Sequence, residues 1–262
     1  MADYIFARKS RNIASSAVHV LLNILLGMGA VLITVFSANP ALGIILVIMS
    51  KWRVFAVRSR YLLINIKSNL VDLIVGLSVV ILSYYGGSSL APVHFVLMAL
   101  YVIWLLFIKP MSSEKANLVQ SLVAVFLGTS ASTIMSANLN SVILAVLLAG
   151  LIGYAASRHV LVQTESEDFT LTTLACGLVF AEIAWLCYSW GIIYTFGSTG
   201  IRIPQAAIIL TIFAFVYDYA RQAMILYRED FRFRNIIGPV FFGIILIGII
   251  VIFFSKPAFN IF

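Results

Sequence analysis

Long apolar runs alternate with short polar breaks along the whole chain, at stretches near 14–38, 41–57, 61–85, 90–108, 117–136, 139–157, 170–196, 204–224 and 236–254. Most reach the roughly 20 residues that an α-helix needs to cross about 30 Å of hydrocarbon at about 1.5 Å per residue. The pattern predicts an all-α, polytopic transmembrane helix bundle of about nine spans, with residues 1–262 as one domain. The breaks carry turn chemistry: Asn39-Pro40, Gly86-Gly87-Ser88-Ser89 with Pro92, Ser136-Ala137-Asn138, and Gly197-Ser198-Thr199-Gly200 with Pro204. Connections this short make successive spans antiparallel neighbours. The longest polar loop runs from Ser157 to Asp168, so any site must be built within the bundle or at its rim.

The first apolar run is preceded by Arg8, Lys9 and Arg11 and followed by Ser37-Ala38-Asn39, as a secretory signal would be. Its apolar length exceeds the roughly 7–15 residues of a signal core, so it reads as an uncleaved first span. Lys51-Trp52-Arg53 and Arg232-Phe233-Arg234 echo one another, but two basic loops after two spans are what the positive-inside rule produces, and no internal repeat is predicted.

Composition agrees with the pattern: 62% of residues are hydrophobic and 10% charged, against roughly 25% charged in soluble domains. The formal charge of +7 would suggest nucleic acid in a soluble protein. Here all the Lys and Arg residues except Arg202 and Lys256 fall on the side that holds residue 1, which predicts N-terminus in and C-terminus out. The implied partners are the lipid bilayer, anionic lipid headgroups, and membrane proteins or further copies of the chain, not nucleic acid. Cys176 and Cys187 share one run with no metal-ligand spacing; they read as inert buried thiols, and no metal or cofactor is expected.

The densest polar chemistry lies between Lys51 and Asp72. On helical geometry Lys51 and Arg58 share a face while Arg53, Arg60 and Lys67 lie almost opposite, so 51–67 is not one amphipathic helix, and a break is expected at Arg58-Ser59-Arg60. Lys51, Arg53 and Lys67 either snorkel to the interface or form a recessed cationic pocket for a phosphate or carboxylate headgroup. Asn65, Asn69, Asp72, Gly76 and Ser83 form one stripe of the third span. A carboxylate within the membrane needs a partner or a proton. Lys67, or Lys51 and Arg53 across the hairpin, are the candidates for Asp72, giving either a structural ion pair or a proton- or ion-handling site.

Glu182 stands near the middle of the seventh span with no cation of its own helix in reach, and is expected to be buried as a titrating or substrate-binding carboxylate. Asp218 has Arg221 and Gln222 at i+3 and i+4, a local pairing. His19 with Asn23, and His94, read as satisfied hydrogen-bonding groups. Gly128, Ser132 and Ser136, and Gly150 with Gly153, read as close-packing positions between helices. Trp104, Trp185, Trp190 and Tyr84, Tyr85, Tyr188 and Tyr194 read as interfacial anchors.

Catalytic patterns are lacking: there is no H-E-x-x-H, no G-x-S-x-G, no G-x-x-x-x-G-K-[ST] and no paired-aspartate D-x-x-x-D. The run Lys51-Trp52-Arg53-Val54-Phe55-Ala56-Val57-Arg58, with Asn69-Leu70-Val71-Asp72-Leu73-Ile74-Val75-Gly76, resembles part of multi-span membrane proteins of candidate-phylum bacteria, the Saccharibacteria in particular. The resemblance covers only these two stretches. It implies a bacterial cytoplasmic membrane and brings no activity with it. The expected function is a small transporter or permease with its site among the second, third and seventh spans. In it Asp72, Glu182 and Asn69 would bind substrate or proton, and Lys51, Arg53 and Lys67 would form an anion-attracting mouth. The alternatives are a non-catalytic membrane subunit or scaffold, and a protein handling an anionic lipid carrier.

Overall fold

The computed structural model describes residues 2–87, 89–162, 169–226 and 234–254. Arg228, Arg232 and Lys256 of the charge distribution lie outside the described residues, as do the side chains of Arg8, Lys9, Arg11 and Arg234. Helices occupy the predicted runs: α1 (Ala2–Ser37), α2 (Pro40–Ser50), α3 (Trp52–Phe55), α4 (Ser59–Ser68), α5 (Leu70–Tyr85), α6 (Pro92–Ile103), α7 (Glu114–Asn138), α8 (Val142–Leu161), α9 (Phe169–Trp190), α10 (Gln205–Leu226) and α11 (Arg234–Phe253). A π-helical turn, Trp104–Ile108, extends α6.

The lengths differ from nine uniform spans. Five helices are long and apolar enough to cross a membrane, and a sixth arises if α4 and α5, bent by 65° at Asn69, count as one. The 11 residues of α2 rise only about 16 Å. Asp218, Arg221 and Gln222 interrupt the apolar run of α10, which is not among the five.

Helix ends follow capping chemistry. The Asn39 side chain accepts from the Ala41 N–H ahead of Pro40, Ser113 caps α7 through the Ala116 N–H, and Ser141 caps α8 through the Leu144 N–H. His94 closes the start of α6: its Nδ1 accepts from the Ala91 N–H at 3.0 Å, which leaves Nε2 to donate to the Ser83 carbonyl at 3.0 Å. The seventh apolar run was expected to continue to residue 196 as one span. Gly191, at φ +60°, instead ends α9, and Ile193–Thr195 pairs antiparallel with Arg202–Pro204 in a small hairpin of two strands, β1 and β2.

Helix α7 is the axis of the bundle, packed by α5, α8 and α10, while α1, α2 and α6 enclose α5, and α11 rests on α10. One core gathers Val31, Val47, Val75, Val79, Leu97, Tyr101 and Trp104; a second gathers Val125, Ala149, Ile152, Phe180 and Leu210. The small residues act as expected. A Cβ at Gly177 would stand 3.0 Å from the Gly150 carbonyl oxygen, so α8 and α9 meet backbone to backbone.

The loops sort to two ends. At one end the Gln120 amide donates to the carbonyls of Ile108 (2.7 Å) and Met111 (2.9 Å) and meets His159 Nε2 at 2.7 Å. At the other, Gly200 lies against Gly86 and Val93, Tyr188 reaches the Ser136 carbonyl, and Tyr194 the Phe254 carbonyl.

Candidate functional site

At the basic end, α2, α5 and α6 converge on Asp72, in the first turn of α5. Helix α2 stops at Ser50, and its C-cap Lys51 turns a side chain with 4% exposure into the bundle. Its ammonium binds Asp72 Oδ2. Lys109 Nζ reaches the same oxygen at 2.8 Å from a side chain 44% exposed. The indole Nε1 of Trp104, a residue only 2% exposed, donates to Asp72 Oδ1 at 3.0 Å.

The π turn explains how Trp104 and Lys109 act together. Five residues apart, they would stand about 140° apart around an α-helix. The turn instead closes the Lys109 N–H onto the Trp104 carbonyl at 2.8 Å and brings both side chains to one side. Both carboxylate oxygens are thus occupied, and the partial positive charge of the α5 N-terminus adds to the field on them. Two lysines around one carboxylate leave the cluster one positive charge in excess, and the more exposed lysine carries it to the rim. Tyr101, fully buried, aims its hydroxyl at Gly76, where a Cβ would stand 2.9 Å from it; that hydroxyl has no hydrogen-bond partner.

Among the three cations grouped at sequence level, only Lys51 enters this site. Arg53 and Lys67 are exposed, on α3 and α4. The break falls where expected, with Arg58 preceding α4, but the 65° bend at Asn69 divides the stripe of the third span. Asp72 and Gly76 face inward on α5, while Asn65 and Asn69 are half-buried and occupied locally. Asn65 donates to the Val54 carbonyl at 2.9 Å, tying α4 to α3, and Asn69 donates back to the Asn65 carbonyl at 2.8 Å. Trp104, expected as an interfacial anchor, is a buried donor, and Lys109 was not anticipated; only a π turn makes these two neighbours.

Glu182 corrects the expectation of burial. It is exposed on the outer face of α9, beside Leu178 and Trp185, 67% and 57% exposed, and it takes part in none of the ion pairs among the described residues. The buried face of α9 is Thr173, Cys176, Gly177, Phe180, Ala184 and Cys187. Asp72 and Glu182 therefore do not share a site. Asp218 is paired as expected, with Arg221 at 2.8 Å and Gln222 at 2.6 Å, and both cysteines are buried free thiols. His19 is exposed on α1.

Several cavities and grooves lie along the bundle, four of them as follows. A groove of about 520 Å³ runs between α10 and α11, lined by Phe215, Tyr219, Pro239 and Phe242, and another of about 560 Å³ lies at the β1 end. Smaller spaces of about 160 Å³ and 30 Å³ adjoin Ser130 and Ser157. None of the four is lined by Asp72, Glu182, Lys51 or Arg53. The described residues hold no group of three or more His, Cys, Asp or Glu placed to bind a metal. No protein-family model, curated protein or solved structure matches the chain, so its reading rests on this geometry.

Proposed function

We propose that the chain is a non-catalytic subunit of a membrane assembly, a helical scaffold whose internal charges are structural. The observation that carries this is the saturation of Asp72: buried Lys51 and Trp104 and the rim residue Lys109 occupy both of its oxygens. A transport carboxylate must exchange a proton or a ligand, and Asp72 lines none of the four cavities described above. The permease reading required Asp72 and Glu182 to share a polar site among the second, third and seventh spans, and Asp72 is buried while Glu182 is exposed on the outer face of α9. Proteoliposomes test it directly. Those holding the parent chain should match protein-free vesicles in pH-gradient dissipation; flux that disappears in Asp72→Asn while the fold persists would contradict the scaffold reading.

A second reading is favoured by α3 and α4. Arg53, Arg58, Arg60 and Lys67 are exposed there among exposed Trp52, Phe55, Tyr61, Leu63 and Ile64, on a helix turned away from α5. Aromatic and aliphatic groups interleaved with cations suit an interfacial hairpin that contacts anionic headgroups of a bacterial cytoplasmic membrane. Replacing the four cations with Gln should lower the stabilisation that phosphatidylglycerol gives over phosphatidylcholine; equal stabilisation in both lipids would remove this role.

A further inference from the structure

We infer that the crevice between α6, α7 and the β1–β2 hairpin binds a glycerophospholipid, with the lipid phosphate on Arg202 and one acyl chain in the crevice. The inference rests on the membrane setting of the bundle and not on the choice between scaffold and permease. Charge is its first support. Arg202 is exposed at the end opposite the cationic loops and makes no ion pair among the described residues. The sequence offers it no acidic partner there either: segments 37–41, 84–93, 136–142, 189–205 and 254–262 contain no Asp or Glu. Glu182 lies on the outer face of α9, which lends no residue to the crevice. A guanidinium without a protein counter-charge, at the level where headgroups lie, is complementary to the phosphate that the bilayer supplies.

The hairpin holds this cation in place. Arg202 of β2 pairs with Thr195 of β1, and the turn at Gly200, at φ +76°, approaches the α5–α6 connection so closely that a Cβ there would stand 3.2 Å from the Gly86 carbonyl oxygen. Arg202 thus lines the mouth of the crevice together with Tyr85.

Shape is the second support. The crevice, about 160 Å³, reaches from Arg202 and Tyr85 down to Leu100 and Phe126. Along α6 from Val93 to Leu100 that is seven residues, about 10 Å of depth. Val96 and Leu100 are each 45% exposed, so the crevice opens sideways, where lipid tails lie. The polar side chain on its α7 wall is Ser130, one turn outward of Phe126 and 3% exposed, whose Oγ has no hydrogen-bond partner. A buried hydroxyl without an acceptor is costly. From mouth to floor the wall therefore presents a cation, a donor and an apolar slot, the order of the phosphate, ester carbonyl and chain of a glycerophospholipid. A hydrocarbon chain alone would leave Arg202 and Ser130 unmatched, and free phosphate would leave the slot empty.

The test uses the full chain in detergent, loaded with phosphatidylglycerol, with retained lipid per chain counted by native mass spectrometry. All variants carry Gln at Arg53, Arg58, Arg60 and Lys67, which removes lipid held by the α3–α4 hairpin. In that background Arg202→Gln should cut retention about tenfold and Ser130→Ala about threefold, as loss of a charged and of a neutral hydrogen bond predicts, while Arg202→Lys should recover most of it. Diacylglycerol, which lacks the phosphate, should be retained no better with Arg202 than with Gln, and glycerophosphate, which lacks the chains, should not displace the lipid. Arg202 is exposed, so its variants keep the fold. Equal retention with and without the Arg202 guanidinium, diacylglycerol held as firmly as phosphatidylglycerol, or displacement by glycerophosphate would each overturn the inference. Asp72-dependent flux would end the scaffold reading and leave this site untouched.

Discussion

Asp72 shows how a charge is tolerated inside an apolar bundle: a buried ammonium, a half-exposed ammonium, an indole N–H and a helix N-terminus all act on one carboxylate. Their contributions should be unequal. Trp104→Phe retains most of the ring volume and removes a hydrogen bond to a charged group, a loss of about 1.5–3 kcal/mol measurable by unfolding in detergent. Lys109→Gln should lose less than about 1 kcal/mol, because solvent screens its exposed ammonium. Tyr101→Phe should move the other way and stabilise by about 1 kcal/mol, since it removes a buried hydroxyl with no partner. That Asp72 needed a partner, and that Lys51 could be it, was legible in the sequence, because a carboxylate in an apolar run has few affordable states. The exposure of Glu182 was not. Helix α9 is apolar nearly all round, so its sequence does not say which face turns inward, and Gly150 and Gly177, which fix that face by close approach, act across two helices.

Among the elements, the π turn matters most to the site. Deleting exposed Phe107 should return the segment to α-helical spacing with Trp104 and Lys109 four residues apart, about 40° around the helix, so the pair stays on one side of it. Lys109→Gln should then cost about as much in the deletion background as in the parent, which a double-mutant cycle measures; strong coupling between the two changes would mean that the extra residue of the turn is needed to place Lys109. The apolar runs located nearly every helix, because hydrophobicity and turn residues mark where helices begin and end. They did not foresee the β1–β2 hairpin, whose Ile192-Ile193-Tyr194 prolongs the apolar run past Gly191, nor the bend at Asn69, which depends on α3 receiving the Asn65 amide. Length was overestimated for α2 for a related reason: Lys51, Trp52 and Arg53 continue the run in sequence but leave its axis in space.

At the scale of the whole molecule, loops rich in cations gather at the end that holds Lys51, Lys109 and Arg158, and loops rich in Gly, Ser and Pro at the other. Cysteines introduced at exposed Ser112 and Ser198 should accordingly label from opposite sides of sealed vesicles, with Cys176 and Cys187 silent in the interior; labelling from one side would contradict the alternating arrangement of the helices. The central claim is that the charges enclosed between α2, α5 and α6 hold the bundle together and do not serve transport. A stability cycle on Lys51 and Asp72 tests it most directly. Asp72→Asn leaves a buried ammonium uncompensated and should lose about 3–5 kcal/mol, Lys51→Met should lose less because Lys109 and Trp104 still hold the carboxylate, and the double variant should recover much of the Asp72→Asn loss. Single variants as stable as the parent, with no coupling between the two positions, would show that this cluster is not what locks the fold.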